Sequence, residues 1–206
     1  MKHVVIVAHP SPQSLVFSLA GAYGAAVAEL GGEPLVRDLY RMGLNPLLAL
    51  EEMPGPDGVH PGEDVVAERR MIADADVFVL VYPLWFYLPP AVLVGYIDRI
   101  FGMGFGYDRV RSGGVEPRLA GKKLLSITTS GSPADWVERE GALTALKTLL
   151  DHHLAGVCGL EVLDHLHFGD VVAPAPASTI HAHLKTVRAR AVDLFGGDRG
   201  RGGARP

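Results

Sequence analysis

The chain is expected to fold as an α/β domain, a doubly wound, five-stranded parallel sheet with helices on both faces. Two observations carry this. Short runs rich in Val, Ile and Leu recur at residues 4–8, 77–81, 123–128 and 160–166, with a weaker run at 33–37. Such continuous apolar strands suit a parallel sheet covered on both sides. Between them lie longer segments of helical character, so that strand and helix alternate along the chain.

The elements follow in order. A strand at 4–8 leads through His9-Pro10-Ser11-Pro12-Gln13-Ser14 into a helix at 15–30. The weak strand 33–37 is followed by a loop at 42–62 that is rich in proline and glycine. Loops of that length without structure of their own are uncommon in compact domains. A helix at 64–75 precedes the strand 77–81. No residue from Val77 to Ile97 is charged, about the length that crosses a bilayer (~20 residues). Pro83, Pro89 and Pro90 would break such a helix, so this stretch is assigned as strand, loop and a helix at 90–101. A strand at 123–128 and a helix at 140–154 follow. The strand 160–166 and a helix at 178–195, capped by Ser178, complete the alternation. Residues 1–195 are assigned to one domain, and the Gly/Arg-rich tail 196–206 to disorder.

Composition narrows the function. The chain has 206 residues, 48% hydrophobic and 20% charged, with net charge −4. These values fit an ordinary globular protein and give no basic surface for nucleic acid. Lys2 and His3 run straight into a short strand, so no export signal is expected. The single cysteine, Cys158, sits among apolar residues and is expected to be a buried thiol. A cytoplasmic location follows as an expectation. No metal site and no transmembrane segment are expected.

In doubly wound folds, ligands bind beyond the carboxyl ends of the strands. Three loops leave such ends here. The first, residues 9–14, lacks the dinucleotide and Walker fingerprints. It carries His9 and Ser14 just before a helix N-terminus, where unpaired N–H groups favour an anion such as a phosphate. The second is Tyr82-Pro83-Leu84-Trp85-Phe86-Tyr87-Leu88-Pro89-Pro90. It offers backbone N–H groups and flat rings to a planar ligand, which suggests a flavin. The third, Thr128-Thr129-Ser130-Gly131-Ser132-Pro133, combines hydroxyl donors with close backbone approach. Each loop alone has an ordinary structural explanation, as a helix cap, an aromatic cluster or a connector. Together, on one sheet edge, they point to one ligand.

These residues resemble the flavodoxin-like NAD(P)H:quinone oxidoreductases, a family that includes quinone reductases and the ancillary flavoproteins of potassium efflux systems. Its most specific signature is matched by Pro83-Leu84-Trp85-Phe86, Pro90, Gly95, Asp98-Arg99-Ile100-Phe101 and Gly104-Phe105-Gly106-Tyr107. Ala8-His9-Pro10 with Ser14, Asp38-Leu39-Tyr40 with Asn45-Pro46, and Ser126-Ile127-Thr128-Thr129 with Gly131 add to it. Right-handed crossovers allow the flavodoxin-like order 2-1-3-4-5 or a half-Rossmann variant, and the resemblance implies the first. It implies flavin contacts at His9, Ser14, Leu15 and Val16, at Pro83, Leu84, Trp85 and Phe86, and at Thr128, Thr129, Ser130 and Gly131. It places Tyr107 at the mouth of the substrate pocket, as the one catalytic candidate.

The activity so implied is two-electron reduction of quinones or similar acceptors by NAD(P)H. It would proceed through bound FAD, or FMN, by ping-pong hydride transfer in a homodimer. The alternative is a flavin-binding regulatory subunit docking on a potassium efflux system. This chain departs from the pattern in three places. Better-known quinone reductases carry a Tyr and a His after the third loop, whereas residues 136–142 contain no His, and Trp136 takes the aromatic's approximate place. Val94 replaces a usual lysine, and Ser130-Gly131 a usual glycine pair. His152 and His153 are assigned as helix residues without a catalytic role. The source of protons is left open.

Overall fold

The computed structural model describes residues 1–55, 58–110, 113–172 and 174–197. Seven strands are described: β1 Lys2–Val7, β2 Glu33–Asp38, β3 Val77–Pro83, β4 Tyr107–Arg109, β5 Val115–Pro117, β6 Lys123–Thr129 and β7 Glu161–Phe168. The α-helices are α1 Leu15–Glu29, α2 Glu63–Ile72, α3 Ala91–Ile100, α4 Ala134–Arg139, α5 Ala142–Leu146, α6 His153–Cys158 and α7 Ala177–Phe195. Five strands form a parallel sheet in the order β2-β1-β3-β6-β7. Counting only these five along the chain, the order is 2-1-3-4-5, as expected.

Side-chain alternation along β1 shows why both faces are covered. Val4, Ile6 and Ala8 join the core formed with Val65 of α2, Tyr96 of α3 and Cys158 of α6. Val5 and Val7 join Leu19 and Tyr23 of α1 and Val187 of α7. All seven residues of β3 are buried, which is what a central strand with helices on both sides demands. β2 is an edge strand and more exposed, which accounts for its weak sequence signal. Cys158 is fully buried, and that burial pushes its thiol up to about 11.

Four expectations need correction. The helix placed at 140–154 begins earlier and ends later. It is divided at Gly141, whose φ of 73° lies in the left-handed region, into α4 and α5. Between α5 and α6 the backbone widens into a π-helical segment, Lys147–His152. The cap of α7 is Pro176, and Ser178 lies inside the helix. The antiparallel hairpin β4–β5 was not anticipated; strands of three residues carry too little periodicity to be read.

The long loop at 42–62 is fastened rather than loose. Arg99 of α3, only 6% exposed, donates to both Glu52 oxygens at 2.9 and 2.8 Å and to both Asp64 oxygens at 2.7 and 3.0 Å. It also donates to the Asn45 carbonyl at 2.7 Å. Gly95 lets the loop lie on α3, since a Cβ there would fall 2.2 Å from the Pro46 carbonyl oxygen. Part of this loop, Pro56 and Asp57, lies outside the described residues, as do Arg111, Ser112, Ala173 and residues 198–206 of the tail.

Candidate functional site

Parallel pairing brings the exits of β1, β3, β6 and β7 to one edge. The register sets Val7 beside Val81, Pro83 beside Thr129 and Thr129 beside Phe168. Backbone bonds continue the ladder past the strands. Ala8 N–H donates to the Val81 carbonyl at 3.0 Å, Leu84 N–H to Thr129 at 2.7 Å, and Ser130 N–H to Phe168 at 2.9 Å. The loops that follow are therefore held in fixed relation at their roots.

They enclose a cleft lined by His9, Ser14, Leu15, Val16, Pro83, Leu84, Trp85, Thr129, Ser130, Gly131 and Val171. No carboxylate lines it among the described residues. The N-terminus of α1 opens on it at Leu15 and Val16. N–H groups at the first helical positions lack intrahelical partners, and no acidic residue stands in that turn. Ser14, the N-cap, accepts from Phe17 N–H at 3.5 Å. The Ser11 N–H donates to His9 Nδ1 at 3.0 Å. The same Nδ1 lies 3.1 Å from the Ser11 carbonyl oxygen, so Ser11 holds the ring in either tautomer; in the one where Nδ1 accepts, Nε2 carries the proton and can donate it to a ligand. The His9 ring lies 6.0 Å from the Trp85 ring, joining the first loop to the second.

The aromatic loop is a tight turn. Trp85 and Leu88 exchange backbone hydrogen bonds at 3.0 Å in both directions. Phe86 and Tyr87 sit between them with φ of 53° and 60°. Two successive left-handed residues define a type I′ turn, which favours Asn and Gly, so this loop holds strain of about 1–3 kcal/mol per residue. The turn leaves Trp85 at the cleft wall and sends Phe86 fully into solvent.

The structure thus brings together ten of the candidate residues, His9, Ser14, Leu15, Val16, Pro83, Leu84, Trp85, Thr129, Ser130 and Gly131. It does not bring Phe86, Thr128 or Tyr107 to the cleft. Thr128 is fully buried behind it. Tyr107 lines a separate depression with Asp98, Phe101, Leu150 and Cys158. His152 and His153 are exposed, and Trp136 is half-exposed beneath the Arg139 guanidinium.

Sequence reasoning missed four residues. Val171 enters because the β7 exit folds back, its N–H donating to the Ser130 carbonyl at 2.9 Å. Behind the third loop lies a buried polar string. Ser126 Oγ donates to Asp151 Oδ1 at 2.7 Å, and the other Asp151 oxygen meets His165 Nδ1 at 2.5 Å. His165 Nε2 and His167 Nδ1 each lie 2.9 Å from the Thr128 hydroxyl. His167 Nε2 reaches Ser130 Oγ at 3.1 Å. His-x-His on a strand beside the third loop was the available signal, since period two places both imidazoles on one face. Asp151 could be placed there only once the π-helical segment had turned it inward.

The cleft suits a flavin on its own evidence. It has a helix N-terminus for a phosphate, an apolar aromatic wall and, among the described residues, no carboxylate in its lining. Among the described residues no group of three or more His, Cys, Asp or Glu is placed to hold a metal, and no helix is long and apolar enough to cross a membrane.

A parallel sheet whose strand exits build such a cleft defines a doubly wound α/β protein. Residues 1–191 match the family model described as flavodoxin-like fold, and the chain belongs to that family. It is 36% identical over 173 residues to an uncharacterised NAD(P)H oxidoreductase of Haemophilus influenzae, covering 83% of this chain and 85% of that one. It is 27% identical to a ribosyldihydronicotinamide dehydrogenase [quinone] of Pongo abelii, covering 79% and 78%. The solved NAD(P)H:quinone oxidoreductase of Methanothermobacter marburgensis superposes with a TM-score of 0.83 at 26% identity, covering 94% of this chain and 98% of that one. The family and the enzyme class expected from the residues are borne out.

Proposed function

We propose that the protein is a flavin-dependent NAD(P)H:quinone oxidoreductase. The observation that carries this is the convergence of the α1 N-terminus, the Trp85 wall and the Thr129–Gly131 backbone on one carboxylate-free cleft. A bound flavin would supply the redox chemistry, taking a hydride from NAD(P)H and passing two electrons to a quinone. The protein's part is placement. The α1 N–H groups and His9 Nε2–H bind the phosphate end, Trp85 and Leu84 give the ring an apolar wall, and the third loop donates to ring oxygens and nitrogens. One planar partner at a time fits over such a wall, which gives ping-pong turnover.

Tyr107 enters this proposal through a homodimer. The depression that it lines shares Val94, Leu149 and Leu150 with an adjoining one lined by Phe86 and Leu88. Phe86 is fully exposed, Leu149 73% and Leu88 64%. This continuous apolar face supports an interface between two copies, and Tyr107 of one copy then serves the cleft of the other.

The test is reconstitution with FAD and with FMN, followed by initial rates with NADH or NADPH and a quinone. A yellow protein with parallel double-reciprocal lines is expected. A protein that takes up neither flavin at micromolar concentration overturns the proposal.

A further inference from the structure

Two-electron reduction of a quinone consumes two protons. One travels with the hydride; the other must come from the protein or from water. The segment after the third loop lacks a histidine, yet a buried string of acid and base groups ends at that loop. We propose that Asp151, His165, Thr128, His167 and Ser130 form a proton relay that delivers the second proton into the cleft. This rests on the quinone-reductase function proposed above.

The geometry supports two complete hydrogen-bond orders. In the charged order, imidazolium His165 donates through Nδ1 to Asp151 and through Nε2 to the Thr128 hydroxyl, at 2.5 and 2.9 Å. Thr128 then donates to His167 Nδ1 at 2.9 Å, and His167 Nε2–H donates to Ser130 Oγ at 3.1 Å. Ser130 in turn donates to the Ser132 carbonyl at 2.8 Å. Every proton has an acceptor. Asp151 balances the imidazolium charge, with Ser126 as its second donor at 2.7 Å.

Discharge moves one proton across each link. The Ser130 proton passes to the anionic oxygen of the acceptor that has received the hydride, forming an O–H bond. His167 Nε2–H replaces it on Ser130, the Thr128 proton moves to His167 Nδ1, and His165 Nε2–H moves to Thr128. The acceptor gains one proton, the string loses one, and no electrons move within it. Neutral His165 then accepts from Thr128, and Ser130 donates to His167 Nε2. Solvent later restores the proton.

Throughout, His167 stays neutral and only exchanges tautomers. Its environment fits that part. Burial, then the charges of His165 and Lys147, lower its pKa to about 4. Other titratable groups face the string from each packed element. Tyr82 of β3 is buried near Asp151, with its hydroxyl beside Ser126. Asp164 of β7 accepts the His165 backbone N–H at 2.7 Å and is itself paired with Arg190 of α7 at 2.6 Å. On the loop side, Tyr87 donates to Ser132 Oγ at 3.2 Å. Ser130 is the member of the string that lines the cleft. The π-helical segment that presents Asp151 is a departure from regular helix of a kind frequent at functional sites.

The test removes the central link. Thr128→Val deletes the hydroxyl between the imidazoles, Thr128→Ser restores it, and His167→Gln blocks the tautomer exchange. In flavin-free protein, imidazole nitrogen NMR should show the His167 tautomer switching as His165 takes up a proton. The switch should be lost in Thr128→Val and return in Thr128→Ser. In flavin-loaded protein at pH 8, single-turnover quinone reduction should slow about tenfold or more in Thr128→Val and His167→Gln. The multi-proton solvent isotope effect should vanish, while flavin reduction by NAD(P)H changes less than twofold. A His167 tautomer that ignores His165, or quinone reduction with unchanged rate and isotope effect in both variants, overturns the relay. A wild type that binds no flavin or reduces no quinone sinks the proposed function instead, and the imidazole spectra of the flavin-free protein still decide the coupling.

Discussion

Gly169 packs so closely on the start of α4 that a Cβ there would lie 2.2 Å from the Ala134 backbone nitrogen and 2.8 Å from the Ser132 carbonyl oxygen. Backbone cannot move aside as a side-chain tip can. Gly169→Ala should therefore displace the third loop, with a loss of about 1–3 kcal/mol in stability and weaker flavin binding. Urea unfolding and fluorescence titration with flavin check both. Unchanged values in both would show that the loop yields freely.

His9→Ala with Ser14→Ala should weaken flavin binding far more than it slows the loaded enzyme. Each lost charge-assisted hydrogen bond is worth roughly 1.5–3 kcal/mol, about ten- to a hundredfold in affinity. Equilibrium titration beside turnover at saturating flavin separates the two effects. An unchanged dissociation constant would remove the phosphate from this loop.

Arg99→Ala should cost about 3–5 kcal/mol, because the Glu52 carboxylate would stay buried without its partner. In the native protein, hydrogen bonding from Arg99 holds the Glu52 carboxyl below the usual carboxylate range. The loop at 42–62 should also become a protease target. Arg99→Lys should recover part of the stability, since a point charge replaces a two-pronged grip. Resistance to proteolysis in Arg99→Ala would mean that Gly95 packing alone secures the loop.

His3 governs part of the acid response. Burial first, then the N-terminal charge and Lys123, against the opposing pull of Asp76, lower its pKa to about 4. In the unfolded chain a histidine titrates near 6.5. Between these values only the unfolded chain takes up the proton, so stability is full above about pH 6.5 and falls as pH drops, levelling near 4. The loss is about 3 kcal/mol, and His167 adds a second contribution in the same window. Urea midpoints from pH 7.5 to 4 should show this fall. His3→Asn, which can keep the hydrogen bond to Tyr23, should reduce it; an identical acid slope in the variant would assign the fall elsewhere.

Tyr107→Phe should slow quinone reduction about two- to tenfold, the worth of one hydrogen bond of roughly 0.5–1.5 kcal/mol. Flavin reduction by NAD(P)H should hardly change. Stopped-flow traces resolve the two half-reactions, and light scattering reports whether the active species is a dimer. Wild-type reoxidation in the variant would leave Tyr107 as a wall of its depression.

The sheet and the three loops of the cleft were legible in the sequence because their causes are local, while Leu15 and Val16 came from the family resemblance. Apolar β-branched runs declare buried strands, prolines stop them, and loops at the exits of adjacent parallel strands must meet at one edge. The sequence signal was weak wherever a cause lay elsewhere in the chain. Phe86 matched a family motif, but the left-handed turn set by the Trp85–Leu88 pairing turned it outward. Thr128 and Thr129 are neighbours in sequence, yet strand alternation buries one and opens the other to the cleft. Tyr107 was placed by a hairpin too short to show any period. Asp151, His165 and His167 became one string only when the π-helical segment and the β6–β7 register joined residues distant along the chain. Local pattern and covalent geometry therefore determined the scaffold and the cleft. The buried acid–base string was decided by tertiary packing, because its hydrogen bonds exist only between elements brought together in space.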